Sequence, residues 1–241
     1  MLPPTARTAH RGCTAFGEHW ARSTDDLLVD AAGDAVASAG VALDDIDAFW
    51  LGTMGSGLSG LTLSRPLKLD YRPVSRLENM CATGSEAFRN ACYAVASGAF
   101  DVVMAIGVEK LKDSGFSGLA IPAPPNDGTG GMGDMTAPAM FSFLAPAYAK
   151  KYGVSEEALK EVMTRIAWKN HANGARNPRA QFRKEVSTET ICGAPKMAGS
   201  LGVFDCADVA DGAAAAIVVR AEDAHKYTDK PLYVKALSLV A

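Results

Sequence analysis

Cysteine and histidine are scarce in this 241-residue chain. Its five cysteines (Cys13, Cys81, Cys92, Cys192 and Cys206) are odd in number, widely spaced and include no Cys-x-x-Cys pair; there are four histidines. That spacing excludes a disulfide framework, argues against a metal site and fits a reducing compartment, with the cytoplasm the expected location. No stretch reaches the ~18 uninterrupted apolar residues of a membrane-spanning helix. The net charge is -3 and no long block of one sign occurs, so neither a nucleic acid nor a membrane is an expected partner. MLPPTARTAHRGC has no apolar segment behind its positive charges, unlike a secretory signal, and LSLVA is not a peroxisomal address.

What is present fits a globular protein with a proper core: 48% hydrophobic and 21% charged residues. Residues 23–40 read as a capped amphipathic helix, with Ser23 or Thr24 as cap, acids in the first turn and Gly40 behind the last. IDAFWLGTM (46–54) reads as a buried strand. PVSRLENM (73–80) alternates and suits a sheet edge. FDVVMAIGVEK (100–110) is the continuous apolar run of a central strand. Strand, helix and strand alternate, which implies parallel pairing with helices on the faces.

After residue 112 the composition shifts to a Gly/Pro-rich stretch, followed by helices over 137–151 and 155–173 and a polar segment to 200. DGAAAAIVVR (211–220) then resumes the α/β pattern and reads as the start of a second unit. GTGGMG (128–133) fits a dinucleotide fingerprint literally, but PAPPND before it is not a central strand, so these glycines read as loop chemistry.

Cys81 lies in NMCATGSEA, where a strand ends and a helix begins. A sulfur there meets the first-turn amides, and Ala82, Thr83, Gly84, Ser85 and Ala87 leave its approach open. A nucleophile and a small buried residue both remain open on position alone. Cys13, Cys92 and Cys192 read as core filler.

NMCATGSEA, followed some twenty-five residues later by GVEK, resembles the nucleophile region of thiolases. CTAFGEHW (13–20), WKNHANGARNPRAQF (168–182) and DCADVADGAAAAIVV (205–219) resemble the sterol-carrier-protein type in particular. The resemblance implies an α/β fold: a thiolase-like mixed sheet covered by helices, the first half of a duplicated fold, with an inserted helical loop domain. It divides the chain into 1–112 carrying the nucleophile, 113–205 as the loop domain covering coenzyme A, and 206–241 as the start of a truncated second half.

It further implies acyl-CoA acyltransferase chemistry through a Cys81 acyl-enzyme, in thiolysis or Claisen condensation. Coenzyme A and acyl-CoA would be substrates, with no permanently bound cofactor and no metal. Arg176, Arg179, Arg183 and Lys184 are the candidates for coenzyme A phosphates, each equally readable as a solvated basic face. His171 matches the loop domain's NHxN segment and reads as structural or as lining the substrate. Glu78 and Asn79 read as facing a subunit interface, since the family pairs the strand at 73–80 across a homodimer. Cys206, beside Asp205, has a counterpart in some relatives and carries no assigned mechanism.

Two features depart from the family. No Gly-His-Pro and no Cys-Gly-Gly occurs, so the expected enzyme has its nucleophile without its base. The family's apolar first strand is also not evident: Pro3, Pro4 and a polar stretch stand in its place, which leaves a truncated start or a divergent first strand open. A partner-dependent acyl-CoA-binding subunit and a carbon–carbon lyase are the alternatives.

Overall fold

The computed structural model describes residues 6–114, 120–121 and 135–240. In chain order the elements begin with β1 (Ala6–Cys13), α1 (Thr24–Ala39), β2 (Ala48–Gly52), α2 (Leu61–Leu67), β3 (Val74–Leu77), α3 (Thr83–Ala96) and β4 (Val102–Glu109). There follow β5 (Ala120–Ile121), β6 (Met135–Thr136), α4 (Ala137–Phe141), α5 (Leu144–Tyr152), α6 (Glu156–Arg176) and α7 (Thr188–Cys192). The last are β7 (Lys196–Ala198), β8 (Leu201–Gly202), β9 (Gly212–Arg220) and β10 (Leu232–Tyr233). Two compact units result: one of residues 1–114 with 210–241, the other of 115–209.

The first unit is built on a six-stranded mixed sheet in the order β10-β1-β9-β4-β2-β3. β2 runs parallel to β3 and β4, while β9 is antiparallel to both β4 and β1. β4 is buried on both faces, which explains its unbroken apolar run. Val102, Met104, Ile106 and Val108 join the core under α1, and Val103 and Ala105 join the core under α3. The α1 side holds the larger side chains, including Leu27, Ile46, Phe49, Leu51 and Ile217. Each such side chain, fully buried, contributes about 1.5–3 kcal/mol.

α1 forms where its sequence predicts. The Ser23 hydroxyl accepts from the Asp26 amide, the Asp26 carboxylate accepts from the Ser23 amide, and Gly40 closes the helix at φ 66°. Its Leu27, Leu28, Ala31, Ala32, Ala35 and Ala39 face the sheet.

One open question about the sheet is settled and one expectation is corrected. A first strand is present: β1 pairs with β9 from Ala6↔Arg220 to Cys13↔Ala214. Its polar composition did not prevent this, because the ladder is made by backbone groups; Pro3 and Pro4 lie outside the described residues. Residues 211–220 do not open a second half. As β9, Gly212–Arg220 lie between β1 and β4 in the first sheet.

In the second unit the helix expected over 137–151 is two helices, α4 and α5. Pro146 is the reason: in a continuous helix its ring would clash with the Ser142 carbonyl. α4 therefore ends at Phe141, and Pro146 sits in the first turn of α5, where no amide is needed. α6 starts on its Ser155 cap and runs to Arg176. Residues 128–133 lie outside the described residues. Among those described, no helix is long and apolar enough to cross a membrane.

Candidate active site

β3 ends at Leu77, and a single 3-10 turn, Met80–Ala82, leads into α3. Met80 takes the left-handed conformation at φ 48°, which costs a non-glycine residue about 1–2 kcal/mol and needs bonds to hold it. Those bonds are local. The Glu78 carboxylate accepts from the Met80 amide, and the Ala82 amide donates to the Asn79 carbonyl at 3.0 Å. The Thr83 hydroxyl accepts from the Asn79 amide at 2.7 Å and donates to the Met80 carbonyl at 2.6 Å. Thr83 is buried, whereas Cys81 is exposed at the tip of the turn, next to exposed Gly84 and Ser85. A sharp strand-to-helix turn that exposes a sulfur is the geometry of a nucleophile.

Cys81 follows β3, and the ends of the parallel strands β2 and β4 carry a second polar group. The Glu109 carboxylate accepts from the Thr53 hydroxyl (3.2 Å), the Ser56 hydroxyl (2.8 Å) and the amides of Met54 and Gly55. Arg76 Nη2 donates to the carbonyls of Thr53 (2.7 Å) and Met54 (3.1 Å), so β3 and β4 together fix the loop after β2. The C-terminal edge of parallel strands is where open α/β sheets bind ligands.

Asp211 precedes β9 at the same edge, where Gly212 pairs with Glu109. Fully buried, it accepts from the amides of His19 (3.1 Å), Leu111 (2.7 Å) and Lys112 (2.9 Å) and from Lys110 Nζ (3.1 Å). Burial pushes its carboxyl up, but the hydrogen bonds from Lys112, His19, Lys110 and Leu111 together outweigh burial and bring it down to about 2.

A thiolase N-terminal domain profile matches residues 5–222. The chain belongs to the thiolase family. It is 36% identical over 230 residues to the acetyl-CoA acetyltransferase of Methanothermobacter thermautotrophicus, covering 92% of this chain and 59% of that protein. It is 29% identical over 242 residues to sterol carrier protein 2 of Gallus gallus, covering 95% of this chain and 44% of that one. Among solved structures, the Ltp2-ChsH2(DUF35) aldolase superposes with a TM-score of 0.79 at 24% identity, over 97% of this chain and 60% of the other; that likeness is one of fold. This thiolase chain thus spans about three fifths of the Methanothermobacter protein's length.

The other candidates belong to the second unit and Cys81 to the first. Arg176 is bonded within α6, from Nε to the Ala172 carbonyl and from Nη2 to Asn173 Oδ1, both at 3.1 Å. Arg179, Arg183 and Lys184 are exposed on the segment that follows. His171 is half-buried against Phe204 (ring centroids 5.4 Å apart) and Phe182 (6.2 Å). The NHANG run reads as packing here. A Cβ on Gly174 would come within 2.7 Å of the Phe182 carbonyl, so glycine lets the returning chain lie on α6.

Among the cysteines, Cys92 is buried and its thiol is pushed up to about 12 by that burial. Cys206 is half-buried, its thiol raised by burial and then by Asp205. Cys192 is not core filler: it is exposed at the end of α7, whose buried residue is its neighbour Ile191. The sequence reading missed Thr83, Arg76, Glu109 and Asp211 as parts of this architecture. GVEK and ADG mark Glu109 and Asp211 by position, but nothing local reveals which backbone amides they receive.

Proposed function

We propose that this chain carries the nucleophile of an acyl-CoA acyltransferase. Cys81 Sγ attacks the carbonyl carbon of an acyl thioester, whose carbon–sulfur bond breaks so that coenzyme A leaves with the proton the thiol gave up. Alternatively it attacks the 3-keto carbon of a 3-ketoacyl-CoA, whose Cα–Cβ bond breaks so that the shortened acyl-CoA leaves with that proton. The acyl-enzyme then passes its acyl group to coenzyme A, or to the carbanion of a second acyl-CoA. Sulfur suits both steps because it attacks well and leaves well. One observation carries the reading: Cys81 stands exposed on a strained turn at the mouth of α3. The acetyl-CoA acetyltransferase relative supports acetyl-CoA as the first substrate to try.

The finer assignments belong to the same proposal. The second unit covers bound coenzyme A, with Arg179, Arg183 and Lys184 offered to its phosphates and Arg176 and His171 shaping the segment that presents them. The chain works as a homodimer through β3, in the cytoplasm, where five free cysteines stay reduced. Incubation with acetyl-CoA and peptide mapping tests the central claim: an acetyl adduct on Cys81, lost in Cys81→Ser, is the expected result. No adduct in folded protein would refute it.

The aldolase likeness in fold supports a second reading, carbon–carbon cleavage. It predicts an activity that survives Cys81→Ser, so the same variant separates the two.

A further inference from the structure

We infer that Thr83 is a positioning residue for the Cys81 nucleophile, its buried hydroxyl holding the turn that presents the sulfur. Its meaning for catalysis rests on the acyltransferase reading above; the positioning itself does not.

The hydroxyl is fully used, and both of its bonds go backward. Its proton goes to the Met80 carbonyl at 2.6 Å, and its oxygen takes the Asn79 amide proton at 2.7 Å. Cys81 lies between the two anchored residues and Thr83 itself, so one side chain closes the loop around the sulfur. A threonine that served the helix would stand one residue earlier and accept from amides further into α3. That place belongs to Ala82, which makes no side-chain cap. Thr83 therefore serves the turn and not the helix.

The same residue ties the turn to the sheet. A Cβ on Gly52 of β2 would lie 3.0 Å from the Thr83 carbonyl oxygen and 3.2 Å from its Cγ2. β2 has no side chain where Thr83 sits, and the threonine is buried against it. Left-handed Met80 opens a single 3-10 turn and lies in neither β3 nor α3. Without the hydroxyl, the turn keeps only the bonds from the Met80 amide to Glu78 and from the Ala82 amide to Asn79, and it relaxes toward ordinary backbone and moves the sulfur.

Thr83→Val keeps the volume and removes both bonds, while Thr83→Ser keeps the hydroxyl and removes the methyl. The readouts are Cys81 alkylation by iodoacetamide and Cys81 acetylation by acetyl-CoA, each mapped by peptide, with Cys192 as internal control and thermal unfolding followed in parallel. In Thr83→Val the Cys81 acetylation rate should fall roughly tenfold to a hundredfold, the scale of a misplacement near 1 Å, and its alkylation rate should depart from that of the wild type. Thr83→Ser should restore them, and Cys192 should label alike in all forms.

Wild-type rates in folded Thr83→Val overturn the inference. So does slow Cys81 labelling in Thr83→Ser, which keeps the test open if the valine variant fails to fold. The two proposals fail separately. Wild-type Cys81 that alkylates but takes no acetyl group sinks the acyltransferase reading and leaves the positioning comparison intact.

Discussion

Cys81 and Cys192 are both exposed, yet they stand at opposite ends of their helices. Cys81 precedes the first turn of α3, where amide N–H groups point outward. Cys192 ends α7, where carbonyls do. Iodoacetamide should therefore take Cys81 before Cys192, and Cys92 last, because burial pushes the Cys92 thiol up to about 12. Peptide mapping over a time course checks the order, and Cys192 labelling ahead of Cys81 would contradict it. Asp211 yields a prediction at the same scale. Its carboxyl is lowered from 3.8 to about 2, so its stabilisation is fully present above the unfolded value and is lost as pH falls through about 2. The shift corresponds to about 2 kcal/mol at neutral pH. Asp211→Asn leaves Lys110 buried beside Asp113 alone and should cost about 3 kcal/mol. Urea unfolding of both forms from pH 7 to pH 3 should show a gap that is constant down to about pH 4 and then begins to narrow. A gap that widens on acidification would reverse the sign.

β1 and α1 meet through Gly12. A Cβ added there would run into the Ala31 carbonyl oxygen and come within 2.6 Å of the Ala35 amide nitrogen, both backbone atoms of a helix that cannot give way cheaply. Gly12→Ala should cost about 3 kcal/mol, the upper range for overpacking. A urea midpoint that implies less than about 0.5 kcal/mol would mean that α1 moves aside freely. α1 could be read because its cap, its alanines and leucines and its closing Gly40 all lie within one window of sequence. β4 could be read because both of its faces are buried. β1 could not, since ARTAHRGC has no apolar period and is selected by pairing with a strand about two hundred residues later. β9 was readable as a strand but not as a member of this sheet, because partner choice at that separation leaves no local mark. The site divides the same way. Cys81 was marked by its junction and singled out by its resemblance to a family segment, whereas Arg76, Glu109 and Asp211 act on main-chain groups distant in sequence.

At the scale of the whole molecule, β3 ends the sheet and is bonded to β2 along one side. The Pro73 carbonyl accepts from Phe49 and the Leu77 carbonyl from Thr53, so odd-numbered residues turn their backbone toward β2. By the two-residue period of a parallel ladder, the backbone groups of Arg76 face outward. A sheet edge of this kind is a template for another strand. Pairing with a second copy across a two-fold axis would satisfy it isologously and bring the two Cys81 turns toward one interface. The chain should therefore scatter light as a dimer at tens of micromolar. Two variants isolate the backbone contribution. Arg76→Ala loses the guanidinium that holds the Thr53 and Met54 carbonyls but keeps the outward amide; Arg76→Pro loses both. The alanine form should remain dimeric while the proline form becomes monomeric with its helices intact by circular dichroism. A folded wild-type monomer, or a dimer that survives Arg76→Pro, would remove β3 as the dimer strand.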